Sequence, residues 1–202
     1  MVHGLSSIRY FCSMDFNSDI DHCLETLRRG GLILYPTDTI WGIGCDATNA
    51  QAVQKIFSLK QRLETKAMII LLADKRDLAK YITQSDPHMM DYLLTVKKPT
   101  TVIYEGAIGL AENLIAEDGT AAIRLVSEPF CKQLIKRFRK PIVSTSANIS
   151  GQPYPGFFDE ITEEIKNKVD YIVRYRQDDK SRAEASSVVK WNKNGTMIVI
   201  RE

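Results

Sequence analysis

Tyr35-Pro36-Thr37-Asp38-Thr39-Ile40-Trp41-Gly42-Ile43-Gly44 is the stretch from which the fold is read. It follows Leu32-Ile33-Leu34-Tyr35, a short apolar run closed by Gly31 and Pro36, which reads as a buried strand. Polar side chains crowded into a turn at the end of a buried strand sit where α/β sheets bind ligands. Gly42 and Gly44 allow a close approach of backbone to a ligand. Composition alone favours a plainer reading, a tight strand-to-helix turn in which Thr37, Asp38 and Thr39 serve only as turn residues.

Working outward, Ile20, Cys23, Leu24 and Leu27 fall on one face of a helix over about Asp19 to Arg29, with Ser18 as N-cap and Gly30-Gly31 as its stop. A second helix starts near Asn49, with Ala52, Val53, Ile56 and Phe57 inward, and ends around Lys60. Met68 to Leu72, Thr101 to Tyr104 and Ala121 to Leu125 read as strands. Asp86-Pro87 reads as a cap and first-turn proline before Met90, Leu93 and Leu94. Ser127 to Phe138 is helical, Ile142 to Ser144 a strand running into a Ser/Asn/Gly-rich loop, Asp159 to Lys168 helical and Tyr171 to Val173 extended. Ser187 to Val189 and Thr196 to Ile200 close the chain as strands. Strands alternate with helices early and crowd together late, so the fold class is α/β with an open, mixed sheet.

The 202 residues, 44% hydrophobic and 26% charged, suit one α/β domain. We expect a tail over residues 1–17 and a single domain over 18–202. Cys12, Cys23, Cys45 and Cys131 are too far apart for a Cys-x-x-Cys clip, and with three histidines a structural zinc site is not expected. Four cysteines at this length fit a reducing cytoplasm better than a disulfide scaffold. No run approaches the roughly 18 apolar residues of a membrane span, so no membrane partner is expected. Net charge is +2, too small to argue for nucleic acid. The local run Lys132, Lys136, Arg137, Arg139 and Lys140 reads first as cations at a helix end.

Four further clusters could carry chemistry. Lys60-Gln61-Arg62, with Lys66 nearby, reads either as a helix end complementing its dipole or as a clamp for phosphate or carboxylate. Ser144-Thr145-Ser146-Ala147-Asn148 follows a buried strand and can offer hydroxyls and backbone N–H groups to a phosphate, though no Walker sequence precedes it. Ser186 and Ser187 open a strand. Arg176 to Glu184, with Ala183 its only apolar residue, is expected to be mobile, and reads either as a solvated connecting loop or as a lid that orders over a bound ligand. His3, His22 and His88 lie outside all of these, which leaves a Ser–His–Asp hydrolase without a placed base. Cations, hydroxyls and amides suit charge stabilisation and positioning better than proton transfer.

Taken in order, Thr37 in Tyr-Pro-Thr-Asp-Thr, Lys60-x-Arg62, Arg124 in Ala-Ile-Arg, Ser146-x-Asn148 and Ser186 in Ser-Ser-Val-Val resemble the YrdC-like threonylcarbamoyl-adenylate synthases, from about Gly30 onward. The resemblance implies an open twisted sheet with helices around it, a deep positively charged cavity, and the short form that lacks the second domain of longer relatives. It implies a nucleotidyltransferase that joins L-threonine, bicarbonate and ATP, with Mg²⁺ accompanying ATP, and serves tRNA modification together with other proteins of that process. By the same resemblance Lys60 and Arg62 are catalytic, holding carboxylate, carbamate or phosphates. Thr37, Arg124 and Ser186 would bind threonine, and Ser144, Ser146 and Asn148 the nucleotide. No protein-held metal is implied.

The sequence departs from the family where Leu63 and Ala67 stand in place of usual prolines, at Lys98-Pro99-Thr100-Thr101, and at Ala185. A YciO-like branch tends to lack the Ser-x-Asn element, which this chain keeps. The competing reading is a non-catalytic double-stranded RNA-binding or ribosome-associated protein of the same fold, or a carbamoyl transferase acting on another amine.

Overall fold

The computed structural model describes residues 16–61, 68–83, 86–191 and 196–202. Arg62, Leu63, Lys66 and Ala67 therefore lie outside the described residues, as do Cys12 and most of the expected tail. The strands are β1 Ile33–Tyr35, β2 Gly42–Gly44, β3 Ile69–Leu72, β4 Thr100–Tyr104, β5 Ala121–Leu125, β6 Ile142–Ser146, β7 Tyr171–Ile172, β8 Ser187–Trp191 and β9 Met197–Arg201. The helices are α1 Asn17–Arg28, α2 Ala50–Lys60, α3 Pro87–Thr95, α4 Pro129–Phe138 and α5 Glu163–Lys166.

The strands form one open sheet in the order β7-β1-β2-β6-β3-β5-β4-β8-β9. Pairs β7–β1, β3–β5 and β4–β8 are parallel and the other five antiparallel, the mixed α/β sheet expected. Successive strand residues alternate between two cores, as a period of two requires. Leu34, Ile70 and Leu72 join α2 on one face, while Ile33, Tyr35 and Leu71 join α1 and α4 on the other. On α2, Val53, Ile56 and Phe57 are fully covered, each worth roughly 1.5–3 kcal/mol against exposure. An Asp at position 56 would put an unpaired charge into that layer.

Side-chain caps fix where three helices begin. Asn49 accepts from Ala52 N (3.1 Å), Asp86 from His88 N (2.8 Å) and Glu128 from Cys131 N (2.7 Å). Four expectations are corrected. Ser18 is not the cap of α1: the helix begins at Asn17, two residues earlier than expected, after Phe16 and without a side-chain cap. Asp19 instead ties the helix to its neighbours, accepting from Tyr171 Oη (2.6 Å) and from the N–H groups of Arg174 and Tyr175. Residues 159–168 form a 3-10 turn over Phe158–Glu160 and the one-turn α5 rather than a single helix.

The other two corrections bear on the site. Gly42 to Gly44 is a strand antiparallel to β1, so the opening stretch is a hairpin and not a strand-to-helix turn. Glycine is there because a Cβ on Gly44 would lie 2.6 Å from Val143 O and Tyr35 Cε1. Strand β6 continues through Thr145 to Ser146, so the hydroxyls expected in a loop are held in the sheet. At the far edge, β9 exposes Met197, Ile198, Val199 and Ile200.

Candidate functional site

Sheet register gathers the polar positions. Gly42 pairs with Ser146, Ile69 with both Ser144 and Ala122, and Thr101 with both Arg124 and Val188. Side chains from these strands, from the β1–β2 hairpin and from Tyr154 and Ala185 enclose a cavity of about 240 Å³. It exposes Arg124, Arg201, Thr101, Ser144, Ser146 and Ser186 beside Trp41, Met68 and Ile69. Hydroxyls and guanidinium groups set among apolar walls are what a small polar ligand requires.

Arg124 is the strongest feature of this cavity. Its side chain is 2% exposed and its Nη2 lies 3.1 Å from Asp38 Oδ1, itself 7% exposed. The approach is too oblique for a hydrogen bond, so Arg124 Nε and Nη2 and Asp38 Oδ1 are all buried without a hydrogen-bond partner. Asp38 is anchored through its other oxygen, which accepts from Ser127 N (3.1 Å) and Oγ (3.4 Å). Buried donors of a guanidinium are rarely left unused, since each costs about 1–3 kcal/mol. Donors of this kind suit an anionic ligand such as a carboxylate.

Beside Arg124, on the side of its register partner Thr101, Ser186, 1% exposed, shares a hydroxyl–hydroxyl hydrogen bond with Thr101 (2.9 Å). Arg201 donates to the Ser186 carbonyl through Nε (3.0 Å) and Nη2 (2.8 Å), which brings a second guanidinium to the cavity. Sequence reading missed Arg201, Thr101 and Tyr154 as cavity residues. Arg201 follows an unbroken apolar run, Met197 to Ile200, so nothing in the sequence turns it toward the site.

Lys60, Ser146 and Asn148 form a second group. Lys60 is 1% exposed at the end of α2. Its ammonium donates to the Ser146 carbonyl, to Asn148 O (2.6 Å) and to Asn148 Oδ1 (3.3 Å). Asn148 Nδ2 donates in turn to Gln152 O (2.6 Å). Ser146 reaches the cavity, whereas Lys60 and Asn148 stand behind it and shape the turn after β6. Thr37 is also 1% exposed, and its hydroxyl donates to Ile40 O (2.9 Å) and accepts from Thr39 N (3.0 Å). The structure thus brings together Arg124, Ser144, Ser146 and Ser186, with Lys60 and Asn148 in support, and uses the Thr37 hydroxyl inside its own turn.

The structure bears on two expectations about charge. The strip 176–184 has partners elsewhere in the chain. Lys180 pairs with Asp159, Arg182 with Glu160 (2.8 Å), and Ala183 N donates to Gly156 O (3.2 Å). The basic run near residue 140 borders a separate groove of about 590 Å³, where Arg76 pairs with Asp74 (2.6 Å), Lys80 with Asp77 (2.7 Å) and Lys140 with Asp46 (2.7 Å). Those carboxylates, together with the α4 C-terminus, favour the helix-end reading of the run.

The family model for Sua5, YciO and YrdC, described as telomere recombination, matches residues 25–202. The protein belongs to the Sua5/YciO/YrdC family. Threonylcarbamoyl-AMP synthase of Pseudoalteromonas translucida is 32% identical over 163 residues, covering 79% of this chain and 87% of the relative. Threonylcarbamoyl-AMP synthase of Vibrio campbellii is 31% identical over 159 residues, covering 77% and 86%. Among solved structures, P. abyssi Sua5 complexed with L-threonine superposes with a TM-score of 0.78 at 24% identity, over 91% of this chain. The present chain spans 54% of that Sua5 chain, and the likeness shows the shared family fold.

Proposed function

We propose that this protein is a threonylcarbamoyl-AMP synthase, a nucleotidyltransferase acting on L-threonine, bicarbonate and ATP to supply tRNA modification. The observation that carries the reading is buried Arg124, whose Nη2 faces Asp38 and whose Nε and Nη2 make no hydrogen bond, at a cavity rich in hydroxyls, in a chain whose relatives bear that name. A guanidinium with free donors suits the threonine carboxylate, and Ser186 with Thr101 offers hydroxyls to the rest of the amino acid. Ser144 and Ser146, on β6 beyond β3, suit the nucleotide side.

In this reading the threonine amine condenses with bicarbonate, forming an N–C bond and releasing water. A carbamate oxygen then attacks the α-phosphorus of ATP, the bond from that phosphorus to the bridging oxygen breaks, and pyrophosphate leaves. No covalent enzyme intermediate is needed. The described residues hold no group of three or more His, Cys, Asp or Glu side chains suited to a metal, so no metal cage fits among them. Mg²⁺ is assigned to the phosphates of its substrate. Lys60 fixes the backbone of Ser146 and Asn148, and Arg62 is assigned to the phosphates or the carbamate.

Among the described residues no helix is long and apolar enough to cross a membrane, and Cys23, Cys45 and Cys131 are free and buried. We assign the protein to the cytoplasm because free, buried cysteines suit a reducing compartment. The test is pyrophosphate release from MgATP and bicarbonate across the twenty amino acids. Release that responds to threonine supports the reading, and release indifferent to every amino acid overturns it.

A further inference from the structure

We propose that Arg176 is a positioning residue that couples the two walls of the cavity; the inference rests on the synthase reading only for its kinetic readout. Arg176 adopts φ +65°, a left-handed conformation that is strained for a residue bearing a Cβ. Its guanidinium is spread over two places. Nε (3.1 Å) and Nη2 (3.0 Å) grip Asp179 Oδ2, and Nη1 donates to the carbonyl of Thr37 (3.0 Å). Three directed bonds from one half-buried side chain explain why the strained backbone is kept.

The two ends of this link belong to different walls. Thr37 opens the hairpin turn whose next residues, Thr39, Ile40 and Trp41, line the cavity. The Thr37 hydroxyl already closes that turn internally, so the turn moves as a unit and its carbonyl is the handle by which it can be held. Asp179 starts the run toward the opposite wall. It accepts from Ser181 N (2.9 Å), and the chain then passes Ala183 to Ala185 and Ser186 at the cavity. The ion pairs of this run, Lys180–Asp159, Arg182–Glu160 and Lys98–Glu184, join largely exposed side chains, and such pairs hold little; its backbone bond from Ala183 N runs to Gly156 O (3.2 Å), not to the hairpin turn. Arg176 is thus the described link between the turn and the Ser186 strand lead, and it sets the gap between Trp41 and Ser186 into which a ligand must fit.

Arg176→Gly separates this role from a plain loop staple, because glycine accepts the left-handed backbone while the side chain and its guanidinium are lost. Arg176→Lys restores one charged donor. We expect Arg176→Gly to stay folded and to raise the KM for threonine about tenfold, the loss of one charge-assisted contact, with kcat changed far less and with partial recovery in Arg176→Lys. In the ligand-free protein, trypsin should cut Arg176→Gly faster after Lys180 and Arg182 than it cuts the wild type. Should Arg176→Gly fail to fold, Asp179→Asn is read in the same two assays. A wild type without threonine-dependent turnover overturns the synthase reading, and the cleavage rates then decide the link alone. Folded variants with unchanged KM and unchanged cleavage overturn the link.

Discussion

Replacing Arg124 by Leu should separate what this residue does for folding from what it does for binding. The side chain is 2% exposed and faces Asp38 at 3.1 Å. Removing one partner of a buried pair costs about 3–5 kcal/mol, mostly from the charge left behind. Asp38 keeps its bonds to Ser127 N and Oγ, and its Oδ1 makes no hydrogen bond to lose. The lower end applies, about 3 kcal/mol, or roughly 6–12 °C in melting temperature for a domain of this size. Asp38→Asn in the same chain removes the stranded charge and should return much of that loss. Binding should not return: two donors to a carboxylate at about 1.5 kcal/mol each amount to on the order of 100-fold in affinity. Calorimetric threonine titration of wild type, Arg124→Leu and the double variant gives the comparison, with urea unfolding alongside. Threonine affinity within about threefold of wild type in folded Arg124→Leu would refute the assignment of its free donors to the ligand.

Lys60→Met should lower stability by about 2–4 kcal/mol, because the Ser146 and Asn148 carbonyls lose a charged donor, and should reduce turnover at the same time; wild-type melting and kinetics would contradict this. Asn148→Ala should weaken ATP more than threonine in separate titrations, since Asn148 braces the turn next to Ser146 through Lys60 and Gln152; the reverse order would exchange the two subsites. Burial raises the Glu128 carboxyl above its ordinary range. A raised carboxyl contributes its stability below the ordinary value and loses it as pH climbs through the folded value. Glu128→Gln keeps an acceptor for Cys131 N without the charge, so its stability relative to wild type should improve as pH rises above the ordinary glutamate value, by urea unfolding; a constant difference would contradict the sign.

Fold and site were legible in the sequence to different depths, for physical reasons. Apolar runs such as Ile69–Leu72 and Ala121–Leu125, and caps such as Asn49 and Asp86, are local signals, and they placed the sheet and most helices. Strand β2 was hidden because its composition, Gly-Ile-Gly, reads as a turn, whereas Gly42 answers to Ser144 and Gly44 to Val143, both on a strand far away in sequence. The strip 176–184 looked mobile from composition because its carboxylate partners Asp159 and Glu160 sit about twenty residues earlier. Arg124 carried a motif, but its buried, half-paired state depends on Asp38 from another element. Arg201 had no motif at all and reached the cavity through its register on β8.

The most direct measurement supplies ¹³C-bicarbonate with threonine and MgATP and follows the small-molecule product by mass spectrometry. The account predicts an adduct of threonine, one carboxyl unit and AMP that carries a single ¹³C, formed in step with pyrophosphate and lost when threonine is omitted. Pyrophosphate release without a labelled adduct, or an adduct without the label, would contradict it.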